Sequence, residues 1–166
     1  MSTHHYTVPS ISYKIANENF QINLKGFGIG DGLTHSLEQM TNYDQYAYST
    51  GLIDSLQQLT IQKLQDQVKL YILQEKWFEA TSTWDSIMAA LNNYTGGINV
   101  YDIREYGDYN FDYYLTFLNL PKTKELMHTI GIQYNDCDAK AYSALYADMS
   151  KSVKYKVESL LNRGVR

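Results

Sequence analysis

The chain has 166 residues, with 14 Lys and Arg against 18 Asp and Glu and a formal net charge of -4. That is one domain's worth, long enough to bury about two-thirds of its unfolded surface without staples. Apolar residues at 44% and charged residues at 19% exclude an acidic disordered chain and a membrane protein, and the negative balance argues against a nucleic-acid partner.

In chain order, residues 8–18 predict a short helix with Pro9 near its start, where a missing N–H costs nothing, and with Ile11 and Ile15 on one face. Residues 21–30 alternate: Ile22, Leu24 and three glycines face one way, Asn23, Lys25, Phe27 and Ile29 the other. That is the pattern of a strand, ended by the Asp31-Gly32 turn. Residues 42–52 predict an aromatic helix stopped by Gly51. A helix over 54–73 starts on Asp54 as N-cap and carries an apolar stripe of Leu56, Leu59, Leu64, Val68, Tyr71 and Ile72. Residues 75–92 follow with Trp77, Trp84, Ile87, Met88 and Leu91 on one side, stopped by Gly96-Gly97. The short connection makes these two helices an antiparallel hairpin. Residues 96–111 read as a tyrosine-rich loop, with a short strand or hairpin around 98–103. Short helices follow over 112–119 and 121–129, the second turning Leu126 and Met127 inward. The last helix has the clearest pattern, with Tyr142, Leu145, Tyr146, Met149, Val153, Val157, Leu160 and Leu161 recurring at three and four, Asp136 or Asp138 at its start and Gly164 at its end. The expected class is mainly α, one domain over 1–166, with one residual strand or small β element. A lone strand needs a partner for its N–H and C=O groups.

Candidate chemistry is sparse. Cys137 is the single cysteine, so no intramolecular disulfide forms, and its acidic neighbours Asp136 and Asp138 disfavour a thiolate. The first residues lack a basic stretch followed by an apolar run, and no stretch reaches the length of a membrane span. The expectation is a cytoplasmic protein with no membrane partner, in which the triplet Asn93-Tyr94-Thr95 goes unglycosylated. His4-His5 at a terminus, and the isolated His35 and His128, do not have ligand spacing, so neither metal nor cofactor is expected. The alternate glycines Gly26 to Gly32 lack the lysine and helix spacing of a phosphate loop. Asp102, Glu105, Asp108 and Asp112 among tyrosines read as a solvated loop, and the Trp77/Trp84 stripe as core. The basic residues Lys151, Lys154, Lys156, Arg163 and Arg166 lie towards the end of a helix, where cations favour the dipole.

Several stretches resemble serine carboxypeptidases, closest to their vitellogenic-like branch. Ile22-Asn23-Leu24-Lys25-Gly26-Phe27-Gly28-Ile29-Gly30-Asp31-Gly32-Leu33-Thr34 is similar to a strand motif of that family. The likeness continues through Asn42 to Tyr48, Gly51-Leu52-Ile53-Asp54, Trp77-Phe78-Glu79-Ala80 and Phe117-Leu118-Asn119-Leu120-Pro121, and Val8 to Ile15 resembles the helix after the family's nucleophile. The resemblance implies an α/β-hydrolase ancestry with a Ser, Asp, His triad in that chain order. Counting back from Val8, Ser2 falls near the nucleophile's place, without the glycine-rich elbow. The family's Asp follows a strand that starts near Val165-Arg166, and its His comes later still. The family has Asp-Pro where this chain has His35-Ser36, and its disulfides are impossible with one cysteine.

The resemblance therefore implies one sheet strand plus the helical cap region, with no catalytic residue. A serine without its base is not activated. The leading expectation is a non-catalytic protein that binds other proteins, as a homodimer or with a different partner, through surfaces a longer relative would cover. Ile22, Leu24, Tyr142, Tyr146, Met149 and Val153 are its interface candidates. The alternative is a carrier of a small apolar or peptide-like ligand in a remnant pocket near Asp31, Met40 and Tyr43. A further alternative is an internal piece of a longer carboxypeptidase.

Overall fold

A computed structural model describes residues 4–18, 20–110, 112–135 and 137–166. Helix α1 (His4–Asn17) leads into an irregular segment, 20–35. Two short helices follow, α2 (Ser36–Gln39) and α3 (Tyr43–Ser49), then the long pair α4 (Ser55–Leu73) and α5 (Trp77–Thr95). After the tyrosine-rich loop come α6 (Asp112–Asn119), α7 (Pro121–Leu126), α8 (Ala139–Leu145), a 3-10 turn (Tyr146–Ser150) and α9 (Lys154–Asn162).

The α4–α5 hairpin is the spine, and local chemistry sets its ends. Asp54 Oδ1 accepts from the N–H groups of Leu56 and Gln57, both at 2.8 Å, while the Gln57 side chain accepts from Asp54 N–H at 2.9 Å. This reciprocal capping box satisfies donors that a bare helix start leaves orphaned. At the other end Lys76 N–H closes on the Tyr71 carbonyl and Glu75 N–H on Ile72, with Glu75 at φ 58°. The buried stripe of α4 is Ile61, Gln65, Val68 and Ile72. It lies against Ala80, Trp84 and Ile87 of α5, and the core continues to Leu33, Met40, Ala47 and Met149. Leu56, expected in that stripe, is 73% exposed, and Leu59 is exposed too, because the inward face runs through Ile61 and Gln65 instead.

A second packing unit joins the chain's ends. Helices α1 and α9 cross with Tyr13 edge-on to Tyr155 at 5.9 Å. Lys156 Nζ donates to Ser10 Oγ at 2.7 Å and sits 5.1 Å over the Tyr6 ring. Arg163 donates to the Ala16 carbonyl at 2.7 Å, satisfying an acceptor at the end of α1. The basic cluster is thus spent largely inside the molecule: Lys151 pairs with Asp148 at 2.7 Å and Lys154 with Glu158 at 3.8 Å.

Three sequence expectations change. Among the described residues 21–30 form no strand; Leu24 N–H closes a tight turn on Ile22 O, which an extended strand forbids. What survives is one parallel-type contact: Arg166 N–H donates to Lys25 O at 3.1 Å and Phe27 N–H to Arg166 O at 2.6 Å. A Cβ on Gly26 would collide with the Arg166 carbonyl, so glycine permits that approach. The small β element is the isolated antiparallel bridge between Ile98 and Tyr106, organised by the buried Asn99 side chain bonding the Gly107 carbonyl and Tyr101 N–H. The long C-terminal helix is broken into α8, the 3-10 turn and α9. Thr81 Oγ1 donates to Tyr146 O at 3.0 Å and the Ser36 hydroxyl to Ser150 O, capturing carbonyls the helix would use. Val153 N–H turns to Thr34 O at 2.9 Å. Finally, Leu126 is 72% exposed and Met127 is also exposed, because α7 contacts chiefly α6 rather than the main core.

Candidate ligand pocket

Polar and apolar side chains converge where the 31–33 turn meets α2, α3 and α5. A cavity of about 360 Å³ opens there, lined by Asp31, Leu33, Gln39, Tyr43, Tyr46 and Trp84 among others. The turn is held tightly. Asp31 has φ 52°, in the left-handed region. Gly32 leaves room for Ile29, whose Cγ2 a Cβ would meet at 2.5 Å. Gln39 donates to Gly32 O at 2.8 Å and accepts from His35 N–H at 2.8 Å, fastening the turn to α2. The indole of Trp84, 2% exposed, is among the lining side chains, and its Nε1–H is shut away from solvent beside the Tyr43 phenol without a hydrogen bond of ordinary geometry.

Burial pushes the Tyr43 phenol up from its ordinary value; the Trp84 N–H partly opposes this and the Asp31 charge adds to it. Tyr43 is therefore neutral at ordinary pH, with the Trp84 N–H close to its oxygen and the Asp31 charge within electrostatic reach. The space and lining suit an apolar group with a few polar contacts.

Asp31 and Tyr43, both singled out in the sequence, line this cavity; Met40 does not, lying fully buried with its sulfur 3.9 Å from Ser150 Oγ. Trp84 and Gln39 were missed as pocket residues. Trp84 carried the signal of a core stripe, which it also is, and only tertiary structure shows that its N–H goes unmet.

The interface candidates separate. Ile22 is 55% exposed and Leu24 half-buried, whereas Met149 and Val153 are buried. Tyr146 donates to Asp85 Oδ2 at 2.5 Å and packs on Tyr142 at 5.5 Å and Phe78 at 5.0 Å. Burial and the Asp85 bond push its phenol up to about 12.

His35 Nδ1 lies 2.9 Å from Ser152 Oγ, 117 positions away, a spacing no motif reveals. The distance suits a nucleophile and base. However, among the described residues no carboxylate ion-pairs with the ring, and Ser152 Oγ is engaged by Lys154 N–H at 3.2 Å at the start of α9. Neither residue lines the cavity. Ser2 and Asp136, and the side chains of His4 and His5, lie outside the described residues. Cys137 and His128 are exposed. Asp102 is held by Arg104 at 2.6 Å, which keeps its carboxyl below the usual carboxylate range. Among the described residues no group of three His, Cys, Asp or Glu side chains is placed to hold a metal, and no helix is long and apolar enough to cross a membrane.

Comparison with known proteins adds a lineage. Residues 5–166 match the serine carboxypeptidase family. The chain is 31% identical to serine carboxypeptidase-like 50 of Arabidopsis thaliana, with 94% of this chain covering 36% of that protein. It is 33% identical to the probable serine carboxypeptidase CPVL of Dictyostelium discoideum, with 93% of this chain covering 33% of the relative. A serine carboxypeptidase-like protein of Pisum sativum is 28% identical, with 97% of this chain covering 62% of it. No solved structure matches. The chain thus spans about a third of the length of the first two relatives. A match over residues 5–166 places the chain in the serine carboxypeptidase family.

Proposed function

We propose that this chain is a recognition module of its family, which holds an apolar side chain of a peptide-like ligand in the Asp31/Tyr43/Trp84 pocket and contributes no nucleophile of its own. The pocket carries this reading. Its volume of about 360 Å³ falls in the range of small-ligand sites, and its lining includes the aromatic side chains of Tyr43, Tyr46 and Trp84. The relatives' names are those of carboxypeptidases, which fits a peptide-like ligand. The Ser152–His35 pair, with no carboxylate partner among the described residues and a hydroxyl tied to the start of α9, supports the non-catalytic part.

Calorimetric titration with N-acetyl dipeptide amides tests it. Dipeptides bearing a large apolar side chain are expected to bind with Kd in roughly the micromolar to millimolar range, and N-acetyl-glycylglycine amide not measurably. Tyr46→Ala, at an exposed rim position, is expected to weaken binding several-fold with the fold intact. Equal or absent heats for all peptides sink the reading.

A second reading, self-association, is favoured by the segment around Phe20 and Ile22. Both side chains are exposed, and the backbone of 21–30 meets another segment only at Arg166 among the described hydrogen bonds.

A further inference from the structure

Helix α4 carries a second apolar stripe besides the one it buries. Its inward side is Ile61, Gln65, Val68 and Ile72. At roughly 100° per residue, Leu56, Leu59, Lys63, Asp66, Leu70 and Leu73 fall on the opposite side, at the alternating spacing of three and four of a heptad seam. All six are exposed, the leucines by 51% to 73%. Neither Lys63 nor Asp66 takes part in an ion pair among the described residues, so both charges are free to pair outwards.

The stripe is also symmetric. Leu56 and Leu73, Leu59 and Leu70, and Lys63 and Asp66 each lie at equal distances from the midpoint between Leu64 and Gln65. A second α4 laid antiparallel across it sets each leucine on a leucine and each Lys63 on an Asp66.

We infer that α4 is the seam of a homodimer, in which two copies pair antiparallel along this stripe with Lys63 of each against Asp66 of the other. Charge fixes both direction and register. A parallel pairing sets Lys63 on Lys63 and Asp66 on Asp66, which repels. An antiparallel pairing slipped by one heptad turns both charges onto leucines and strips their water with no partner in return. The seam is separate from the pocket and from the Phe20–Ile22 segment, so it goes beyond both readings above. One helix of 19 residues buries less than the ~1,200 Å² of a standard interface, so the pair is a weak one, with Kd about 10–100 µM.

Sedimentation velocity of the whole chain tests it, with Ile22→Lys present throughout so that the other candidate contact is silent. Between about 5 and 300 µM these chains are expected to pass from monomer to dimer. Lys63→Asp alone and Asp66→Lys alone each set like charges across the seam, and each should raise Kd at least about tenfold. Mixed in equal amounts, the two variants offer opposite charges at every facing position, and should form a heterodimer with Kd within about threefold of the starting value. Leu59→Lys should dissociate the dimer as well. These positions are exposed, so circular dichroism of the variants should match the starting chain. A monomer at every concentration overturns the inference and leaves the Ile22 contact standing. A dimer indifferent to the single charge reversals, or one that mixing fails to restore, overturns it too.

Discussion

At the residue scale, helix ends in this protein repeat one device with and without glycine. After α3, Leu52 N–H bonds Ala47 O and Gly51 N–H bonds Tyr48 O; after α9, Val165 N–H bonds Leu160 O and Gly164 N–H bonds Leu161 O. These are Schellman closures with glycine in the left-handed position. After α4 the same closure is made with Glu75 at φ 58°, and after α7 with His128 at φ 56°. A Cβ in that region costs about 1 kcal/mol or more. Glu75→Gly is therefore expected to stabilise the fold by about 0.5–1 kcal/mol, the gain being trimmed by the looser unfolded chain. Urea unfolding followed by circular dichroism reads this as a higher midpoint at unchanged slope; a lower midpoint contradicts the account. Asp31 shares the conformation at φ 52° but sits on the pocket. A side chain kept at a costly angle beside a cavity is the pattern expected of binding groups. Asp31→Gly should thus relieve strain and weaken peptide binding together.

At the element scale, the sequence was legible wherever structure is decided locally. Asp54, Gly51, Gly96 and Gly164 marked helix ends because caps act within a few residues. The α4–α5 hairpin followed from periodicity. The C-terminal helix was misread because its breaks are imposed from afar: Thr81 and Ser36 lie 65 and 114 positions from the carbonyls they hold. The 21–30 alternation is real, but period alone supplies no pairing partner, and here the segment meets only Arg166 among the described hydrogen bonds. In the pocket, Asp31 and Tyr43 stood out by motif, whereas the unmet N–H of Trp84 required the packed structure. The role of Thr81 is open to test. Its buried hydroxyl bonds both Tyr146 O and, at 2.6 Å, Ser150 Oγ. Thr81→Val keeps the shape and removes both bonds, so a loss of about 1–3 kcal/mol is expected in urea unfolding. Thr81→Ser should retain most of the stability. Equal stability of the valine variant and the parent would mean that the 3-10 break does not depend on this bond.

At the scale of the whole molecule, one well-filled core around α4 and α5 is accompanied by the α1–α9 unit and by the less buried α6–α7 pair. Exposed apolar side chains are spread over the surface, and two stretches of them are Phe20 and Ile22 after α1, and Leu126, Ile130 and Ile132 at and beyond the end of α7. Contiguous exposed apolar area on a soluble domain marks contact sites. The two regions differ in one respect. Near Ile22 the backbone is open as well as the side chains, so a second chain would gain hydrogen bonds along with apolar burial. Beyond α7 part of the backbone is engaged: Ile132 N–H bonds Thr129 O, and Asn119 bonds Tyr134 through both its amide nitrogen, at 3.0 Å, and its carbonyl oxygen, at 2.9 Å. Of these two stretches, the segment near Ile22 is therefore the one expected to join copies. In chains carrying Lys63→Asp, which silences the α4 seam, sedimentation velocity over a range of concentrations should show a dimer, and a monomer once Ile22→Lys is added, while Ile130→Lys leaves the dimer in place. A charge at Ile22 costs little in the monomer because that side chain is already in water, so circular dichroism of the variant should match the parent. A monomer at every concentration without Ile22→Lys removes this contact, and dissociation by Ile130→Lys instead moves it to the face beyond α7.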